Sequence, residues 1–305
     1  MRIQSRIVAM SVVLMLLVCS VTQAQFKPLV KYVPSSANSI ILLNAQKVLA
    51  SEVALREGWR QNFEKAIEAG LVRLPSGTQQ YVLASEMDFE YMDPIWQIGA
   101  LAMKDAPDFR RIAKEKGGKL DTVVGGPAAR MPTGAYIVQI SPKTFVSMNA
   151  SRQAVTRWIR EAQEGTAQLS GYIQEAISYS EGNRTEIIMA LDLADALDMN
   201  RLTQRVGESS AVARAGLDAA DVVSVLLSVR GVMLGITLGE KPYGKMKIDF
   251  GRDAGHLKEA ARSVIIEALS NHGAMIDDFE SWKADVNGKQ ITFDGYLSST
   301  GMRQI

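Results

Sequence analysis

Only His256 and His272 can gain or lose a proton near neutrality without a large pKa shift. Neither stands in a telling context. His256 lies near the start of an amphipathic stretch that begins at Ala254. His272 follows Ser270-Asn271 at the end of that stretch, just before Gly273, where an imidazolium interacts favourably with the free carbonyls of a helix terminus. A capping or surface role therefore outweighs catalysis for His272. Two separated histidines, with Cys19 as the single cysteine, do not make a standard zinc constellation.

Carboxylates are more numerous. Glu86, Asp88, Glu90 and Asp93 form one cluster; Asp192, Asp195 and Asp198 a second; Asp277, Asp278 and Glu280 a third. Each carries the oxygen ligands a hard cation takes, and the first is the best place for calcium. None shows the alternating Asp/Asn loop with a central glycine and a distal glutamate of an EF-hand. The middle cluster reads instead as helix capping and first-turn charge, with Asp192 as the cap.

Serine chemistry finds no G-x-S-x-G elbow, no S-x-x-K with its companions and no histidine partner. Gly125-Gly126-Pro127 and the segment Gly239 to Gly244 lack phosphate-cradle or dinucleotide spacing and read as turns. A two-carboxylate glycosidase needs an acid pair among stacking rings. Here aromatics are 7% of the chain, and Trp59, Trp96, Trp158 and Trp282 fall in apolar patterns that assign them to packing. The 14 methionines are scattered and fill gaps in the core. Arg152, Arg157 and Arg160 on one helix fall short of a polybasic anchor. No catalytic, cofactor-binding or metal-ligating residue is assigned.

Compartment is the more legible property. Arg2 and Arg6 precede an apolar run from Ile7 to Val21, and Thr22-Gln23-Ala24 presents small residues to a signal peptidase. Cleavage is expected between Ala24 and Gln25, so that 1–24 is a signal peptide. The run is shorter than the roughly 20 residues a membrane-spanning helix needs. An uncleaved anchor, or a lipidated Cys19 after Leu16-Leu17-Val18, are the weaker readings, the second because Val18 stands where a small residue is wanted. Removing Arg2 and Arg6 from the 34 basic residues leaves near balance with the 33 acidic ones. That charge offers no general attraction to nucleic acid. The composition, 47% hydrophobic and 22% charged, is that of a packed globular body.

The elements expected to hold these residues follow from periodicity. Ser39 to Leu43 reads as a buried strand, Ala45 to Ala69 as a helix closed by Gly70, and Asp108 to Glu115 as another helix. The helix from Ser151 to Glu164 faces Val155, Trp158, Ile159 and Ala162 inward. Polar residues around Ser178 to Arg184 mark a boundary, giving units 25–180 and 181–305. The second unit repeats the opening: strand 186–191, helix Leu193 to Val206, strands Asp221 to Ser228, Val232 to Leu238 and Lys245 to Phe250, helix Ala254 to Leu269 and strand Gln290 to Leu297. This order predicts an α+β fold of two tandem units, each an antiparallel sheet covered by helices in the split β-α-β, ferredoxin-like pattern.

Val33-Pro34-Ser35-Ser36-Ala37-Asn38-Ser39-Ile40, Gly58-Trp59-Arg60, Tyr81-Val82-Leu83-Ala84-Ser85 and Arg152 to Trp158 together resemble uncharacterised secreted bacterial proteins. The resemblance implies an exported α+β domain and no catalytic residue. The expected function is that of an exported, non-enzymatic envelope or extracytoplasmic protein acting through binding or protein interaction, with an envelope or extracytoplasmic protein as the expected partner. The alternatives are a carboxylate-dependent hydrolase and a small-ligand binding protein. No nucleic acid, no cofactor and no membrane span after cleavage are expected.

Overall fold

The computed structural model describes residues 25–71, 74–165, 168–182 and 185–304. The expected signal segment and Ala24 lie outside the described residues; Gln25 lies inside them. After α1 (Lys27–Val30) comes β1 (Ser39–Leu43), whose alternation buries Ile40 and Leu42. The single helix expected over Ala45 to Ala69 is three: α2 (Ala45–Ala50), α3 (Glu52–Arg56) and α4 (Trp59–Glu68). Ser51 ends the first and caps the second, its Oγ accepting from the Ala54 N–H, and Gly58 enters the third at φ +67°. An unbroken helix of that length would carry the chain about 37 Å away. The breaks instead fold it back, so that β2 (Thr78–Asp88) starts beside the end of β1, with Tyr81 opposite Leu43.

The first half continues through β3 (Asp93–Met103), α5 (Phe109–Glu115), β4 (Lys119–Val123), β5 (Gly126–Arg130), β6 (Tyr136–Ser141), β7 (Thr144–Met148), α6 (Arg152–Glu164) and α7 (Gly171–Gly182). Next come β8 (Ile187–Asp192), α8 (Met199–Gly207), α9 (Ser210–Ala215), α10 (Ala219–Leu226), β9 (Val229–Leu238) and β10 (Pro242–Phe250). The chain closes with α11 (Ala261–Asn271), β11 (Lys283–Asn287), β12 (Gln290–Tyr296) and α12 (Gly301–Gln304). The α+β class is as expected. The twelve strands among the described residues form one antiparallel sheet in the order β11-β12-β10-β9-β8-β1-β2-β3-β7-β6-β5-β4.

That order differs from the split β-α-β pattern. A split unit places another strand between the two that its helix connects. Here β1 pairs directly with β2, and β8 with β9, each across a three-helix excursion. Residues 180 and 181 fall in the last turn of α7, and the sheet runs on through the β1–β8 pairing.

Three local expectations are corrected. Asp221 to Ser228 is helical rather than extended: Asp218 caps α10 through the N–H groups of Ala220 and Asp221, and a short β-branched run does not by itself distinguish strand from helix. The helix expected from Leu193 starts at Met199, because Asp198 and not Asp192 is its cap. The Ala254 to Leu269 stretch divides into a 3-10 turn, Gly255–Leu257, and α11.

The two faces of the sheet are covered by different helices. On one, α1, α6 and α7 pack over Ile40, Leu42, Val82, Ile98, Val146 and Ile188. On the other, Val53 of α3, Val206, Val212 and Val222 pack with Ile236, Met246 and Phe293, while Phe109 of α5 sits on Phe145.

Glycines mark where rings meet strand backbone. Gly244 and Gly295 are opposite each other on β10 and β12, and Trp282, 1% exposed, lies over both. On the opposite face Gly231 and Gly235 of β9 seat Tyr172 and Tyr179 of α7. A Cβ at Gly231 would stand 2.3 Å from the Tyr172 ring and 2.6 Å from the Leu191 carbonyl, whereas one at Gly239 meets nothing within 4 Å.

Gly231→Ala is therefore expected to cost about 1–3 kcal/mol by overpacking, at about 2–4 °C in Tm for each kcal/mol. Gly239→Ala should melt with the wild type. Equal melting temperatures for the two variants in calorimetry would show that the ring seat is not tight.

Candidate functional site

Among the described residues α7 packs on β8, β1 and β9, and beyond it the same face of β10, β12 and β11 is open, carrying polar, partly or fully exposed side chains. The alternation that builds it is strict. Gly244, Met246 and Phe250 point into the core with Ile291 and Phe293. Tyr243, Lys245, Lys247 and Asp249 stand on the other side, paired in register with Tyr296, Asp294, Thr292 and Gln290. Lys283, Asp285 and Asn287 of edge strand β11 extend the same row.

Two hydrogen-bonded groups organise the face. At the α7 border, the Tyr172 hydroxyl donates to Asp249 at 3.2 Å, Gln290 Nε2 donates to the other Asp249 oxygen at 2.7 Å, and Lys247 Nζ lies 2.6 Å from Glu175 and 3.6 Å from Asp249. Lys247 is only 13% exposed. Burial works against its charge, but the Glu175 and Asp249 carboxylates prevail and raise its pKa. Burial and the Asp249 charge push the Tyr172 phenol well above the ordinary tyrosine range. Further out, Tyr243 donates to Asp294, a bond that with burial pushes its pKa up to about 12. Tyr296, 63% exposed, meets the Tyr243 ring edge-on at 5.4 Å. With four acids and three lysines interleaved, the arrangement suits contact with a mixed polar surface better than proton transfer.

The residues singled out in the sequence are dispersed. His256 is exposed in the 3-10 turn, and His272 is the exposed C-cap of α11. In the first acidic cluster Glu86 accepts from Trp96 Nε1, Asp88 shapes the β2–β3 turn through the Glu90 and Tyr91 N–H groups, and Glu90 pairs with Arg201. In the second, Asp192 accepts from the Ala194 N–H and Asp198 caps α8. In the third, Asp278 accepts from the backbone and hydroxyl of Ser298. Among the described residues no three histidine, cysteine or acidic side chains converge on a cation site.

Arg152 pairs with Asp121 and donates to the Thr122 carbonyl at 2.6 Å, while Asp121 accepts the Thr122 N–H at 2.6 Å. Both backbone groups of Thr122 on edge strand β4 are thus occupied, which blunts that edge. Arg157 and Arg160 are exposed. Two surface grooves add no acid pair. One of about 470 Å³ is lined by Met199, Val223, Leu227 and Arg252; the other, of about 390 Å³, by Arg110, Leu120 and Asp121.

In fold the chain is similar to TP0453, whose crystal forms III and I each superpose with a TM-score of 0.51 at 11% identity over 90% of this chain and 95% and 94% of that one. At that identity the likeness speaks for the fold alone. No protein-family model matches the chain, and no curated protein does. No described helix is long and apolar enough to cross a membrane.

The open-face cluster has a signature in alkali. Because the folded pKa values of Lys247 and Tyr172 are raised, their contribution is complete below about pH 10 and is lost as pH rises through the folded values. Lys247→Met should lose about 1–3 kcal/mol at neutral pH. The decline of its Tm above pH 10 should be shallower than in the wild type, and shallower again with Tyr172→Phe added. Parallel alkaline limbs in thermal melts would exclude the coupling.

Proposed function

We propose that this chain is an exported, non-enzymatic envelope protein that acts by docking another extracytoplasmic protein on the open face of β10, β12 and β11. The observation that carries the reading is the face itself: among the described residues α7 covers β8 and β9 on that side, and beyond it three strands carry pre-positioned polar side chains. Tyr243, Lys247 and Asp249 are already held by internal bonds. Docking on them costs less ordering than docking on free side chains. Exposed Tyr296 supplies the kind of amphipathic ring that protein interfaces favour.

Export is supported by the Arg2, Arg6 and Ile7 to Val21 pattern and by the small residues of Thr22-Gln23-Ala24. Phe26, the second residue after the expected cleavage, is buried in the core, as the start of a packed mature chain would be. The resemblance to secreted bacterial proteins points the same way. We read the shared order of strand, three helices and strand pair in 25–180 and 181–305 as an internal duplication. A hydrolase would need an acid kept protonated. The described carboxylates with displaced pKa values, Glu57, Asp121 and Glu267, are all displaced downward by hydrogen bonds to their charged form.

Affinity capture of the tagged chain from its native envelope after mild crosslinking should recover one stoichiometric protein. Tyr296→Ala with Lys245→Glu should reduce that recovery at least about tenfold, a loss of about 1.4 kcal/mol. Arg157→Glu with Arg160→Glu, on exposed positions of α6, should leave it unchanged. Recovery insensitive to the first pair, or lost with the second, would refute the assignment of the docking face.

A further inference from the structure

Gln25 is the residue that cleavage after Thr22-Gln23-Ala24 would make the first of the exported chain. Its side chain is already engaged in a specific way. Lys47 Nζ of α2 donates to Gln25 Oε1 at 3.0 Å, and the amide nitrogen Nε2 is buried with no hydrogen-bond partner among the described residues. The next residue, Phe26, is fully buried with Leu29 and Tyr32, so residue 25 is tethered to the body rather than trailing from it.

We propose that Gln25 is a modification site, closing on itself to N-terminal pyroglutamate with Lys47 as the positioning residue that polarises its amide. The proposal rests on the export reading, because the nucleophile, a free α-amine, exists only after cleavage. The neutral α-amine attacks Cδ. The C=O π pair moves onto Oε1, where the Lys47 ammonium stabilises the developing charge. The tetrahedral intermediate then collapses, the Cδ–Nε2 bond breaks, and the leaving nitrogen takes up a proton equivalent to the one the α-nitrogen releases. The products are a five-membered lactam and ammonia, with no oxidant, reductant or other reactant required.

Three features favour closure. Amine and amide belong to one residue, so the step is unimolecular. An α-amine titrates near pH 8, which leaves a useful neutral fraction at physiological pH. The atom expelled is the buried, unpaired Nε2, whose desolvation is otherwise uncompensated. The lactam also removes a positive charge from the residue that the Lys47 cation touches.

The test is to express the full chain with its own leader, purify the exported protein and follow the tryptic peptide Gln25–Lys31 by mass spectrometry over days. The expected result is progressive loss of one ammonia from that peptide, about tenfold slower in Lys47→Met, the barrier difference of one charge-assisted donor. Lys47 is exposed, so the variant should fold. A stable peptide that begins with unmodified glutamine would overturn the cyclisation and leave the export reading standing. A first peptide beginning elsewhere would overturn both. Equal rates in wild type and Lys47→Met would overturn the role of Lys47.

Discussion

The antiparallel pairing of β1 with β8 is the interaction on which the rest depends. Residues from Ser39 opposite Leu191 to Leu43 opposite Ile187 join a seven-strand half to a five-strand half in one ladder. Without it, both strands would be edges carrying unpaired N–H and C=O groups in the middle of the sheet. Ile40, Leu42, Ile188 and Ala190 lie on the same face of this junction and are buried together. The ladder and the core therefore stabilise one another.

From that junction the cover divides. α7 crosses β8, β1 and β9 on one face, and α8 to α11 cover β9, β10 and β12 on the other. Aromatic rings on both faces approach the strands at glycines, where no Cβ intervenes: Tyr172 and Tyr179 on one side, Trp282 on the other. Because side chains alternate along a strand, the face that Trp282 seals is opposite the face left open. Closing the core beneath β10 and β12 and exposing polar residues above them are one structural event.

The open face is polar yet ordered. Lys247 sits between Glu175 of a helix and Asp249 of its own strand, so its charge is compensated from two elements. Asp249 is also held by Tyr172 and Gln290. Each group satisfies the others, which limits the desolvation cost that burying any one alone would carry. The same economy operates at the β4 edge, where Arg152 and Asp121 close off Thr122 and leave that side of the sheet less open to strand addition.

The sequence by itself determined what depends on neighbours along the chain. The inward stripe of the 152–164 helix, with Val155, Trp158, Ile159 and Ala162 buried, is a 3.6-residue periodicity. The alternation of Lys245, Lys247 and Asp249 with Met246 and Phe250 is a two-residue one within the stretch that reads as a strand, whereas Tyr243 and Gly244, which read as a turn, belong to the same strand β10. What it did not determine has one physical cause: the answer lay in partners distant in sequence. Val222 to Val225 has the residues of a strand, and only Asp218 capping and packing against α8 made it a helix. Nothing near Asp249 announces Tyr172, 77 residues away. The pairing of β1 with β2 rather than with an inserted strand was decided by the folding back of α2 to α4 and by burial at the β8 junction, energies that exist only once the sheet is assembled.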